Sequence, residues 1–160
     1  FALADNGHAD TAYKMLLNTQ CPSWLYEVRV GATTVWERWD GLNENGECPI
    51  GDDGTDMMIS YNHYASGAVG AFLYRRVLGV EPTEAGYRKF KFAPVVGGGI
   101  TEAEGTVGTP YGVIKAAWKN ADGEMTMTVA VPVGTECTVV LPSGEEKVLG
   151  SGEYTVTAKA

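Results

Sequence analysis

Apolar residues recur at helical spacing in the first half of the chain and at strand spacing in the second, and the change falls near residue 82. Between Ala9 and Asn18, the positions Ala9, Ala12, Tyr13, Leu16 and Leu17 return every three or four residues, which predicts a helix. Asp10 lies in its first turn, where the helix dipole favours an anion, and Cys21-Pro22-Ser23 ends it. A second helix is predicted from His63 to Leu78, with Tyr64, Ala65, Ala68, Val69, Phe72, Leu73 and Val77 on one apolar face. Asn62 is its expected N-cap, Gly79 its C′ residue, and Pro82 bars continuation. Small residues from Ala65 to Ala71 would let another helix approach closely, which suits a layered helical body. Between the two helices, Pro22 to Tyr61 reads as a long irregular stretch holding Trp24, Trp36 and Trp39. Structureless stretches of that length are uncommon unless functional.

After Pro82 the period is two. Phe90 and Phe92 alternate with lysines, as do Ile114, Ala116 and Trp118. Met125, Met127, Val129 and Val131, then Cys137, Val139 and Leu141, then Tyr154, Val156 and Ala158, continue the alternation. Turn residues fall between them at Asn120-Ala121-Asp122-Gly123, Pro142-Ser143-Gly144 and Gly150-Ser151-Gly152. Pro94 and Pro132 suit strand ends. The pattern predicts an antiparallel β-sandwich, and so an α+β chain of two domains, 1–82 helical and 83–160 strand-rich. Two good helices are too few to bury both of their apolar faces. The opening Phe1-Ala2-Leu3-Ala4-Asp5-Asn6-Gly7 reads as the tail of a helix closed by Asn-Gly. The expectation is therefore a C-terminal piece of a longer chain.

Charge narrows the partners. Twelve lysines and arginines against twenty acidic residues give a net charge of −8, which repels phosphate backbones and argues against nucleic acid. No apolar run approaches the ~20 residues that span a bilayer, so no membrane segment is expected. Apolar residues at 44% and charged residues at 20% are globular values. No signal-peptide pattern follows Phe1, and a cytoplasmic and a secreted parent both stay open. Cys21, Cys48 and Cys137 form no C-x-x-C pair, so zinc and redox motifs lack support. Three isolated thiols are favoured over a Cys21–Cys48 disulfide. The run Asp52-Asp53-Gly54-Thr55-Asp56 lacks the spacing and late glutamate of a calcium loop. Neither metal nor cofactor is expected.

The most unusual local sequence is Gly31-Ala32-Thr33-Thr34-Val35-Trp36-Glu37-Arg38-Trp39-Asp40-Gly41. It sets one carboxylate between two indoles and beside a guanidinium. Indole faces suit sugar C–H surfaces, and a glycosidase needs a carboxylate to take a proton from water or to protonate a leaving group. The plainer alternative has Trp36 and Trp39 in the core and Glu37 paired with Arg38 at the surface. His63, in Ser60-Tyr61-Asn62-His63-Tyr64, either meets a sugar hydroxyl or a carboxylate, or simply opens a helix. His8 reads as an exposed loop residue.

Taken in order, Pro22-Ser23-Trp24-Leu25-Tyr26, then Gly31 through Asp40, then Asn62-His63-Tyr64-Ala65-Ser66-Gly67-Ala68-Val69-Gly70, resemble the C-terminal part of bacterial α-L-rhamnosidases of glycoside hydrolase family 78. Pro94-Val95-Val96-Gly97-Gly98-Gly99 and Thr109-Pro110-Tyr111-Gly112 match the same family. The resemblance implies the end of an (α/α)₆ catalytic barrel followed by a C-terminal antiparallel β-sandwich. It implies an inverting hydrolase that releases terminal α-L-rhamnose from rhamnosides. Glu37 corresponds to the general base, His63 to a sugar-contacting histidine, and Trp36 and Trp39 to site-wall or supporting residues. The family's general acid has no counterpart here and is expected in the remainder of the parent chain. Agreement is weakest over Asn43–Asp56 and Met57-Met58-Ile59, so specificity beyond rhamnose stays open. Two other readings are kept. One is a carbohydrate-binding or structural sandwich using Tyr111, Trp118 and Tyr154; the other is an (α/α)₆ hydrolase for a different sugar.

Overall fold

The computed structural model describes residues 1–51, 54, 55 and 58–160. Two compact units divide the chain: residues 2–70, and residues 71–160 together with Phe1. The acidic run read against calcium falls largely on Asp52, Asp53 and Asp56, outside the described residues.

In the first unit, α1 (Ala2–Asp5) is closed by Gly7 at φ +82°, and α2 (Ala9–Leu16) follows with Tyr13 fully buried. The stretch expected to be irregular contains a further helix, α3 (Trp24–Arg29). Its cause is local: Ser23 is extended, and its hydroxyl accepts the Tyr26 N–H at 3.0 Å, an N-cap. Six residues are too few for a helical period to be read, which is why the sequence pattern hides it. Trp24 therefore sits on a helix rather than on a loop.

The single helix predicted from His63 to Leu78 is instead a run of short pieces. These are α4 (Tyr64–Gly67), α5 (Val69–Phe72) and a π-helical turn at Leu73–Val77. Gly67 and Gly70 fall inside this run, and glycine costs about 1 kcal/mol against alanine in a helix interior. The N-cap is the extended His63, not Asn62, and its side chain makes no capping bond.

The second unit is a β-sandwich of two four-stranded sheets. One runs in the order β1 (Val80–Pro82), β2 (Lys89–Phe92), β6 (Glu136–Val140), β7 (Glu146–Leu149). The other runs β3 (Glu102–Thr109), β4 (Gly112–Ala121), β5 (Glu124–Val131), β8 (Gly152–Lys159). All pairings are antiparallel except β2 with β6, which are parallel. Strands β3 to β5 form the crossover that a parallel pair requires. The β4–β5 hairpin turns at Asp122 and Gly123, both at positive φ, as a two-residue turn of that hand demands. Inward residues align across strands: Trp118 with Met127 and Val156 in one sheet, Phe90 with Cys137 and Leu149 in the other. Together with Val80, Phe92, Ile114, Val129 and Val139 they form one core. The Trp118 indole N–H is satisfied inside it by the Val77 carbonyl at 2.8 Å.

Candidate active site

The Gly31–Gly41 segment is set by α3 and by a short backbone pairing with residues 60–63. The Glu37 N–H donates to the Ser60 carbonyl at 2.8 Å, and the His63 N–H donates to the Val35 carbonyl at 2.8 Å. The Thr34 hydroxyl donates to the Tyr61 carbonyl. The Ser60 N–H in turn donates to Glu37 Oε2 at 3.0 Å. Glu37 and His63, 26 positions apart by number, thus lie on adjacent lengths of backbone, which no local pattern foretells.

Glu37 is exposed and lines an open cavity of ≈ 550 Å³ with Cys21, Pro22, Arg38, Trp39, Asp40 and Ser66. Arg38 is bidentate on Asp40, Nε to Oδ1 at 3.0 Å and Nη2 to Oδ2 at 2.8 Å. The Arg38 fork thus meets Asp40, and the neighbouring Glu37 charge also acts on it. The guanidinium holds the Asp40 carboxyl below its ordinary range. Asp40 raises the Arg38 value in return. The site thus carries a fixed ion pair next to an exposed carboxylate.

The indoles divide their work. Trp36 is 3% exposed and packs edge-to-face on Tyr61, ring centroids 5.3 Å apart. It does not line the cavity. Gly41 is pressed on it: a Cβ there would sit 2.9 Å from Trp36 Cε3, so only glycine fits. The Tyr61 hydroxyl donates to the Gly41 carbonyl at 3.0 Å and fixes that contact. Trp39 does line the cavity and meets Trp24 edge-to-face at 5.2 Å; the Trp24 N–H donates to the Ser66 carbonyl at 3.0 Å. Trp39 Nε1 and His63 Nδ1 are buried polar atoms with no hydrogen-bond partner among the described residues.

The sequence reading passed over Glu27. It is 2% exposed, and its carboxylate Oε2 accepts the Trp36 N–H at 3.2 Å. Burial pushes its carboxyl above the ordinary range, and the Trp36 N–H offsets part of that. Its signal is positional: Ser23, Tyr26 and Glu27 occupy i, i+3 and i+4 of one helix face, and all three are buried. Cys21, Cys48 and Cys137 form no disulfide. Of the aromatics on which sugar binding by the sandwich would depend, Trp118 is 2% exposed and Tyr154 packs against the core, leaving Tyr111 at the surface.

Comparison with known proteins places this arrangement. Residues 1–77 match the bacterial α-L-rhamnosidase six-hairpin glycosidase domain, and residues 79–155 match the bacterial α-L-rhamnosidase C-terminal domain. An α-L-rhamnosidase of Streptomyces avermitilis is 38% identical over 88% of the chain, and one of Formosa agariphila 36% over 92%. The chain spans only 13% and 15% of their lengths. Among solved structures, native α-L-rhamnosidase from Aspergillus terreus superposes with a TM-score of 0.86 at 37% identity, over 97% of this chain and 18% of that one. The Streptomyces avermitilis α-L-rhamnosidase complexed with L-rhamnose gives 0.85 at 33% identity, over 98% and 17%. Sequence and fold agree across nearly the whole length, and the chain belongs to the bacterial α-L-rhamnosidase family, carrying part of its six-hairpin glycosidase domain and its C-terminal β-sandwich domain.

Proposed function

We propose that the protein to which this chain belongs hydrolyses terminal α-L-rhamnosides with inversion, with Glu37 as the general base. The observation that carries this is the exposed Glu37 carboxylate in the cavity, held by the Ser60 N–H at 3.0 Å on backbone paired with the His63 segment. A carboxylate so tethered keeps its orientation while it takes a proton from a water, which then attacks the anomeric carbon on the face opposite the leaving group. His63 and Trp39 would meet the sugar, and Trp36 would support the base from below. The acid that protonates the glycosidic oxygen belongs to another part of the parent chain, ~6.5–9.5 Å from Glu37, the gap that holds the attacking water in an inverting enzyme. Residues 1–82 would close the catalytic barrel and 83–160 would form the accessory sandwich. Without the acid, the 160-residue chain alone is expected to be inactive.

The family supports rhamnose-containing glycosides as substrates, and a related enzyme is known in complex with L-rhamnose. In the full-length protein, Glu37→Gln should lower kcat on an aryl α-L-rhamnoside by about 10²–10⁴-fold, the range a general base supplies. Wild-type turnover in that variant would remove Glu37 from the mechanism. The product anomer, followed by NMR in the first minutes of reaction, tests inversion independently.

A further inference from the structure

Glu27 is a charged residue placed where folding alone gains little from a charge. It is almost wholly buried, one carboxylate oxygen has a single backbone donor, and Oε1 has no partner among the described residues. A buried carboxylate this thinly satisfied costs stability relative to an apolar side chain of its size. What it does hold is specific. Its backbone carbonyl accepts the Ala32 N–H at 2.9 Å, and its side chain accepts the Trp36 N–H at 3.2 Å. One residue of α3 therefore grips both ends of the loop Ala32–Trp36, and the next residue in the chain is Glu37. The same loop offers the Val35 carbonyl to the His63 N–H.

We propose that Glu27 is a positioning residue for Glu37, fixing through the Ala32 and Trp36 N–H groups the loop that presents the carboxylate to the cavity. The inference rests on the reading of Glu37 as the general base. The side-chain half of the grip needs an oxygen acceptor at glutamate's reach; it needs no charge. A loosened loop leaves the cavity lined as before but lets the base drift, and a drift of about 1 Å in a reacting group costs up to ~10²-fold in rate.

The test uses the full-length protein on an aryl α-L-rhamnoside, with kcat and KM measured separately and normalised to the folded fraction from near-UV circular dichroism. Glu27→Gln keeps the acceptor and its reach, and its kcat should stay within about threefold of the parent. Glu27→Asp keeps the charge but withdraws the acceptor by one methylene, and Glu27→Leu removes it. Both should lose about 10–10²-fold in kcat with KM within about threefold. Parental kcat in either of these two, a rise in KM with unchanged kcat, or a Glu27→Asp variant faster than Glu27→Gln would overturn the proposal. If Glu27→Leu does not fold, the order of the other two decides. Glu37→Gln is run alongside: an active Glu37→Gln sinks the underlying reading of the base, whereas an inactive one beside an unaffected Glu27→Asp sinks only the role of Glu27.

Discussion

Cys137 shows how one enclosed side chain makes stability depend on pH. It is fully buried between Phe90 and Leu149 in the register of its sheet, and desolvation pushes its thiol up to about 12. In the unfolded chain the thiol ionises near its ordinary value, ~8.5–9. Below that range both states keep the proton and the contribution is complete. Between it and about 12 only the unfolded state releases the proton, so stability falls as pH rises, by about 1.4 kcal/mol per pH unit. Cys137→Ala removes this term and leaves a small cavity, costing ~1–1.5 kcal/mol at pH 7. The gap in denaturation free energy between the parent and Cys137→Ala should therefore close as pH is raised from 8 to 10. A gap that stays constant over that range would show that the thiol is not sealed from water.

At the scale of elements, the junction between the π-helical turn and β1 depends on Gly79. Its φ is +90°, and a Cβ there would lie 2.4 Å from Pro94 N, where the Ala93 N–H bonds the Gly79 carbonyl at 2.8 Å. Gly144 has φ +85° with nothing within 4 Å of a Cβ. Gly144→Ala should cost only the left-handed backbone term, ~1–2 kcal/mol. Gly79→Ala should cost that and ~1–3 kcal/mol more for the clash with backbone that cannot yield. Equal losses in guanidinium denaturation would contradict the packing argument. The strands of the sandwich were legible because their inward residues are large and strictly alternating, as in Met125, Met127, Val129 and Val131. Strand β3 was not: its inward side offers Ala103, Gly105 and Val107, too small to stand out against the polar positions. Nor does alternation name a neighbour, so the parallel β2–β6 pair stayed hidden. In the helical half, α3 was too short to show a period and the glycines broke the longest predicted helix. By composition the Trp36–Trp39 segment left a sugar site and a plain core open, and only its resemblance to the family pointed to sugar chemistry. The pairing that sets Glu37 beside the His63 backbone is long-range, and Glu27 looks from sequence like any helix-surface acid.

The whole chain joins a helical unit to a sandwich whose core is drawn from Leu78 onward. That core makes the sandwich a candidate for independent folding, provided the cut respects one bond. Trp118 donates its indole N–H to the Val77 carbonyl, so a chain that begins after residue 77 strands a buried donor, at a cost of ~1–3 kcal/mol. It also forfeits Val77, itself largely buried, worth ~1.5–3 kcal/mol. Phe1, which meets Phe72 edge-to-face at 5.6 Å, is the smaller loss, about 0.5–1.5 kcal/mol for such a ring pair beyond its buried area. Residues 71–160 should therefore fold cooperatively alone, whereas residues 78–160, which keep Leu78, should be weaker by several kcal/mol. Four tryptophans occur in the sequence, and only Trp118 lies beyond residue 39, so its fluorescence reports the core of either chain without a label. The longer chain should show blue-shifted emission and a single urea transition. The shorter should unfold at markedly lower urea, and its emission should already lie to the red in the absence of urea because the indole has no Val77 carbonyl to meet. If the two chains unfold at the same urea concentration, the Val77 carbonyl does not hold Trp118 in solution, and the sandwich core closes without any part of the turn that precedes β1.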